Sequence, residues 1–532
     1  MSQIKWNVSN VSVALEVIDK SRKPLLSEIK KLANEFNSWD EDLKYYDILA
    51  GDWLEYYMHI IYSIMLDNLD QDGAVHAQSP PSILAVADID KFNDLRFEVE
   101  YKENLNDQVV ALHSGIDPKS WTYSSPSVVI SSGRKKFRQK IISSISTKNP
   151  VLLLVRPYWK TTKINVLKLL LSWRKWALWD DLDYPLKFEV AIDIESRLRF
   201  ASRLSSNELD FIAISKALLP LNLPVALLEG LADYRTAVQA MPVHRPQAVY
   251  TRIGLHAHLT FKLLFADWAK RGTKLLCGQH GGGYGSDKIH ALEQFESRIA
   301  DRFYTWGWKK ENNKKVQPLV IEPFPSFTFK KKIILLNCVD YPDHVFRIQF
   351  QPMPGSTEKM RLETCKFLLN FTSGENIVIR PYFKDYSGDF VDMMQKSAPR
   401  ALLDDHSVSS FVRFSQSKLV VHNYLGTSFL ETLALNTPTI CFYDPTIYAF
   451  RPEAEDFYDA LERVGILHRS AESAANFVMS IEKNVLGWWS EKEIQDVRRN
   501  FVDNFVRFSE NWIKEWEHEF RKVIDENDVI SQ

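Results

Sequence analysis

Over residues 1–75 apolar side chains recur at helical spacing, in stretches such as LLSEIKKLANEF and WLEYYMHIIYSIMLDNL. That spacing gathers them on one face of an α-helix, so a helical N-terminal segment packed on the rest of the chain is predicted. From 76 to 325 the rhythm changes to short apolar runs separated by helical stretches: SILAVA, VVIS, VLLLVR, AVYTRIG, TKLLCGQ and DRFYTWGW. Continuous apolar runs of this length are the pattern of strands buried on both faces of a parallel α/β sheet. VQPLVIEPFPSFTFKKK then interrupts the rhythm with Pro318, Pro323 and Pro325, which predicts a joint between domains. Alternation resumes with KIILLNC, a helix through EKMRLETCKFLLNF, NIVIRPY, SKLVVHN, a helix at SFLETLALN, and TICFYD. The stretch WSEKEIQDVRRNFVDNFVRFSENWIKEWEHEF reads as one long amphipathic helical tail. The predicted division is therefore a helical segment over 1–75, α/β domains over 76–325 and 326–485, and a helical tail over 486–532. No internal repeat or low-complexity segment interrupts it.

A length of 532 residues supports two cores rather than one. The 66 Lys and Arg against 68 Asp and Glu leave a net charge of −2, without the basic excess expected of a protein that lives on nucleic acid. Cys277, Cys338, Cys365 and Cys441 form no CxxC pair and sit in apolar surroundings, so they read as buried free thiols of a reducing compartment. The first residues lack the basic start and apolar core of a signal peptide, and the best apolar run, NVLKLLLSW, is far too short to span a bilayer. A cytoplasmic protein is expected, with contact at the inner face of the membrane left open.

Two consecutive α/β domains place a cleft between the carboxyl ends of their strands, where ligands of open sheets bind. The loops after those strands are therefore the candidates for chemistry. In GTKLLCGQHGGGYGSD an apolar strand ends at Cys277, and Gln279 and His280 meet Gly281, Gly282, Gly283 and then Tyr284. Glycines there let backbone amides approach a ligand, and the histidine suits a general base, with Glu293 and Glu296 nearby. The loop lacks the Lys-Ser/Thr of a phosphate-binding P-loop, so ATP hydrolysis is not suggested. In SKLVVHNYLGTSFLETLALNTPTICFYD a strand ends at His422-Asn423, Gly426, Thr427 and Ser428 open a helix, and Glu431 lies in its first turn. Such a helix start can take phosphate, and Glu431 can reach ribose hydroxyls; an ordinary N-cap with a dipole-matched acid is the plainer alternative. Arg380 in ENIVIRPYFKD leaves a strand end as a cation for phosphate or a sugar carboxylate, or equally as half of a salt bridge. Arg347, His256, Glu229 and Asp233 are less distinctive, and structural roles are the first expectation for them. Asp180-Asp181 and Asp404-Asp405 lie in polar contexts and read as solvated acids, so no DxD-type metal pair follows a strand.

Several blocks together resemble a family of O-antigen and surface-polysaccharide transferases. They are YYDILAGDWLEYYMHIIY, GLHAH, GTKLLCGQHGGGYG, ADRFYTWGW, YLGTSFLETLALNTPTICF, FRPEAEDFYDALERVGILH and GWWSEKEIQDVRRNFVDNF, in consistent order from about residue 45 to 520. The resemblance implies a GT-B-like fold, with two Rossmann-like domains facing a cleft, a helical N-terminal segment and a C-terminal helical tail. It also implies a glycosyltransferase with a nucleotide-sugar donor as substrate, no other cofactor, no metal, and a glycan or lipid-linked glycan as acceptor. Donor binding falls to Arg380, Gly426, Thr427, Ser428, Glu431 and Arg347; His280, Glu229 and His256 are the catalytic candidates, beside the cleft loop of Gln279, Gly281, Gly282, Gly283 and Tyr284. Closure of the two domains would align donor and acceptor and exclude water. A sialic-acid-like donor on CMP and a UDP or dTDP sugar both fit. The pairing of an HG loop with a Gly-Thr-Ser helix start is also similar to polyol-phosphate transferases, and a sugar-nucleotide epimerase of the same fold or a non-catalytic assembly scaffold stays open.

Overall fold

The apolar runs on either side of the proline-rich joint build two separate parallel sheets. A computed structural model describes residues 8–69, 76–132, 151–157, 176–179, 186–202, 210–241, 243–256, 259–311, 313–329, 332–341, 356–371, 377–383, 386 and 388–530. In the first half the strands are β1 (Leu152–Val155), β2 (Trp176–Trp179), β3 (Ala248–Thr251), β4 (Lys274–Gly278), β5 (Arg302–Thr305) and β6 (Val316–Pro318). They pair in the order β6-β5-β4-β3-β1-β2, all parallel. In the second half β7 (Ile333–Asn337), β8 (Ile377–Arg380), β9 (Leu402–Leu403), β10 (Ser417–His422), β11 (Thr439–Phe442) and β12 (Leu467–His468) pair as β9-β8-β7-β10-β11-β12. Counted within its own half, that order is 3-2-1-4-5-6, the doubly wound arrangement.

The topology fixes where a ligand can go. Strand order reverses between β7 and β10, whose last residues Asn337 and His422 are partners, and between β1 and β3, where Val155 pairs with Thr251. Loops leaving neighbouring strands on opposite sides open a crevice at each reversal. The loop after β10 carries Gly426–Ser428, and the residue after β3 is Arg252.

Helices α1 (Val8–Asn37) and α2 (Leu43–Leu69) form the N-terminal layer of the first half, packing on each other. Helix α2 lies against α3 (Leu259–Ala269) and α4 (Ala291–Ile299). Its buried face is charged in places and each charge is matched: Lys262 Nζ donates to Asp52 at 2.5 Å, and Arg298 reaches Asp47 and Glu55 at 3.1 Å. Burying an ammonium is tolerable only with such a partner.

Several segments depart from the sequence reading, among them Val316–Pro318 at the head of the predicted joint, which is the edge strand β6. VVIS is not a strand of the parallel sheet: Ser127–Ser132 pairs antiparallel with Leu186–Ala191, Ile130 inward and Val129 about half exposed, as an alternating edge pair requires. Only Ser82–Ile83 of SILAVA is extended, pairing with Thr122–Tyr123. After α5 (Thr357–Asn370), α6 (Thr427–Ala434) and α7 (Ala471–Ile481) of the second half, the C-terminal stretch is two helices, α8 (Lys492–Phe505) and α9 (Trp512–Ile530). The residues between them donate and accept backbone hydrogen bonds with the first half: Arg507 N–H to Trp306 O at 2.7 Å, Ile321 N–H to Arg507 O at 2.9 Å and Ser509 N–H to Ile321 O at 3.2 Å. Helix α8 packs on the second half, whereas Trp512, Trp516 and Phe520 of α9 join Tyr250 and Tyr304 in a core on the first sheet. The four cysteines are buried free thiols, and no described helix is long and apolar enough to cross a membrane.

Candidate functional site

The helix that begins at the β7–β10 reversal is α6 (Thr427–Ala434). Its N-cap is Gly426, and no side chain caps it, so its first amides are available to an anion. Two cavities meet at this helix. The larger, about 480 Å³, is bordered by Arg380, by His406 to Ser410, by Phe411 and by Glu431. The smaller, about 210 Å³, lies between the halves and is lined by Arg252, His280, Trp306, Ile321, Glu322, Phe324, Thr427, Ser428 and Glu431. Glu431 borders both.

The histidine loop and the helix start, 145 residues apart, touch directly: Gly282 N–H donates to Thr427 Oγ1 at 2.9 Å. A Cβ on Gly282 would sit 2.9 Å from the Gly426 carbonyl carbon and the Thr427 nitrogen. The glycine run therefore lets one half approach the other's backbone, and the Gly282 amide is spent on that contact rather than on a ligand. Gly283, at φ +83, turns the loop against Asp287 and His290. Gln279 is buried and structural: it receives hydrogen bonds from Trp306 and Trp308 and donates to Gly281 O. Further along the seam, Arg451 donates to both Glu293 oxygens at 2.8 Å and to Asp287 O, and Lys288 N–H donates to Ala449 O at 3.0 Å. Gly282→Ala should loosen this seam; we expect a loss of about 1–3 kcal/mol, read as a lowered melting temperature with the secondary structure unchanged by circular dichroism.

His280 belongs to a cluster drawn from three elements, in which Tyr284 and Glu296 are buried and the two histidines partly so. Tyr284, in the same loop, donates its hydroxyl to Glu296 Oε2 on α4 at 2.9 Å and lies 3.0 Å from His280 Nδ1. Glu296 Oε1 is 2.5 Å from His256 Nε2, beyond the end of β3. With the Tyr284 hydroxyl hydrogen directed at Glu296, its oxygen can accept from His280 Nδ1–H, the tautomer in which Nε2 is the basic nitrogen. Burial pushes His280 down to about 4, with His256 and Arg252 adding to the effect and Glu296 opposing it. Burial likewise pushes His256 down to about 4 and Glu296 up to about 8. One proton shared between Glu296 and His256 then keeps the cluster free of net charge, the economical state in a dry interior. His280 is therefore neutral at physiological pH.

His256, His280 and Glu296 also offer three ligand atoms within 4.8 Å of one another, the donor types of a divalent metal site. At bonds of about 2.1 Å, the ligand atoms would stand roughly 3.4 Å apart. The 2.5 Å contact between His256 and Glu296 is a hydrogen bond and would have to open for an ion to enter.

The structure thus brings together His280, His256 and Tyr284, and of these His280 lines the small cavity with Thr427, Ser428 and Glu431. Arg380 borders the other cavity but is held by Asp404 at 2.9 Å and by Val408 O at 3.2 Å. Asp404, read from sequence as solvated, is buried between Arg380 and Arg413; its neighbour Asp405 is exposed. Glu229 lies elsewhere, receiving both Nε–H and Nη2–H of buried Arg197 at 2.6 Å, and Asp233 is on an exposed helix face. Arg347 and Asp180-Asp181 lie outside the described residues. The sequence reading missed Arg252, Trp306, Glu322 and Phe324. Arg252 carried a signal, as the first charged residue after an apolar strand at a reversal point; Glu322 and Phe324 sat in the joint and read as linker.

Two parallel, doubly wound halves meeting at the carboxyl ends of their strands make this an α/β protein of the GT-B type. Residues 6–520 match the LIC12162 family transferase, and the chain belongs to that family of transferases. No curated protein matches it. Among solved structures it is similar to an O-GlcNAc transferase mutant from Thermobaculum terrenum (11% identity, 97% of this chain and 99% of that one, TM-score 0.37). It is similar also to MnaA of S. aureus in complex with UDP (9%, 70% and 96%, TM-score 0.38), and to TarM (8%, 56% and 58%, TM-score 0.37), of whose length the match spans little more than half. Likenesses this distant add nothing to what the topology of the two sheets already shows.

Proposed function

We propose that the protein transfers a sugar from a nucleotide-activated donor to a hydroxyl of a surface-polysaccharide acceptor of the O-antigen or capsule type, glycan or lipid-linked. The observation that carries the donor site is the position of Glu431 on the border of both cavities. A nucleotide sugar bridges them: the base lies in the larger cavity, the ribose hydroxyls meet the Glu431 carboxylate, the phosphates meet the uncapped start of α6 at Thr427 and Ser428, and the sugar enters the smaller cavity. His280 Nε2 takes the proton of the acceptor hydroxyl as its oxygen bonds to the anomeric carbon. The bond to phosphate breaks, and the charge left on the nucleotide is stabilised by the amides and dipole of α6. The surface-polysaccharide acceptor rests on the sequence blocks that resemble that family.

The test is incubation with nucleotide sugars and an acceptor extract, followed by mass spectrometry. Transfer releases free nucleotide as the glycan gains one residue. An isomerised sugar still attached to its nucleotide would sink this reading and establish an epimerase. The base is a histidine and the leaving group is held by a helix start, so turnover is expected to survive excess EDTA; loss restored by a divalent ion would refute the metal-free chemistry.

A further inference from the structure

We infer that the sugar transferred is uncharged, a neutral pyranose rather than a uronate or sialate; this rests on the donor reading above. The inference comes from where the cleft's arginines spend their charge. A carboxylate on a sugar needs a cation to replace its water, and only two arginines border the cavities among the described residues, Arg252 and Arg380. Neither has charge to spare. Arg380 is held by buried Asp404, which also takes Arg413 at 2.7 Å. Arg252, in the small cavity itself, stands 3.7 Å from Glu322, both nearly wholly buried, and its Nε–H donates to Tyr250 Oη at 3.0 Å.

Among the described lining residues, the carboxylates of Glu322 and Glu431 outnumber the single Arg252 guanidinium. A sugar carboxylate confined in about 210 Å³ would face two like charges with little water to screen them. Hydroxyls fit the same lining. The Glu322 carboxylate accepts from them, the Arg252 guanidinium donates to them, and Trp306, Ile321 and Phe324 offer apolar walls to the ring's C–H faces. Glu322 is the specificity-determining residue, because it neutralises Arg252.

The test uses pairs that differ only at C6, UDP-glucose against UDP-glucuronate and GDP-mannose against GDP-mannuronate, with UDP and GDP alone as reference ligands, all by calorimetry. On the nucleotide that binds, the neutral sugar is expected to bind at least about tenfold tighter than its acid. In Glu322→Gln that ratio should shrink about tenfold, since Arg252 is released to meet the acid; a cooperative melt, at a lower temperature because Arg252 loses its buried partner, with an unchanged circular-dichroism spectrum is the check on folding. Equal or tighter binding of the acid by the wild type, with the free nucleotide bound, would overturn the inference alone. Binding of none of these sugars together with no binding of CMP, CDP, UDP, GDP or dTDP would remove the donor reading beneath it.

Discussion

His280→Ala is expected to lower kcat about 10²–10⁴-fold while nucleotide affinity stays at the wild-type value. The first part follows from the position of His280, which lines the small cavity with Nδ1 tied to the Tyr284 hydroxyl and Nε2 left basic. The second follows because the nucleotide contacts proposed here all come from the other half. The pH dependence has a defined sign. A base acts in its neutral form, and burial holds His280 down to about 4, so activity should persist as pH falls from 8 to about 5 and drop only below that. A solvent-exposed histidine would already lose activity near pH 6.5. A steady decline between pH 7 and 6, or a His280→Ala enzyme with near-normal kcat, would remove His280 from the base role.

The second large effect is on binding. Glu431→Ala should raise the Kd for the nucleotide about 10- to 100-fold, the 1.5–3 kcal/mol of hydrogen bonding to a charged group. Glu431 is the residue shared by the two cavities, so its loss acts on the nucleotide wherever the sugar lies. Glu431→Gln keeps the shape and some of the hydrogen bonding, and should fall between the wild type and the alanine variant. Titration calorimetry separates the three.

Much of this site could be read from the chain because its parts are local. An apolar run ending in glycines, as at Cys277 to Gly283, and a strand followed by Gly-Thr-Ser and a helix, as at His422 to Glu431, announce themselves by composition. What joins them is not local. The hydrogen bond from Gly282 to Thr427 spans 145 residues, and the pairs Arg252–Glu322 and Arg380–Asp404 each join residues remote in sequence. That is why Arg380 looked available for a carboxylate and Asp404 looked solvated, when each is the other's partner. The break between α8 and α9 had no proline or glycine to mark it. It is imposed by backbone pairing with Trp306 and Ile321, and tertiary contact of that kind overrides a continuous amphipathic pattern. VVIS was misplaced for the opposite reason: three apolar residues and a serine do not distinguish a buried parallel strand from one side of an antiparallel pair.

The central claim, a nucleotide seated on α6 across the two cavities, is tested most directly by melting temperature with CMP, CDP, UDP, GDP and dTDP at millimolar concentration, on the wild type and on Glu431→Ala. The expected result is stabilisation of the wild type by one nucleotide, about 3 kcal/mol if its Kd is near 10 µM, visible as a shift of a few degrees and cut to about half or less in Glu431→Ala. No shift with any of the five, or a shift that Glu431→Ala leaves intact, would contradict it.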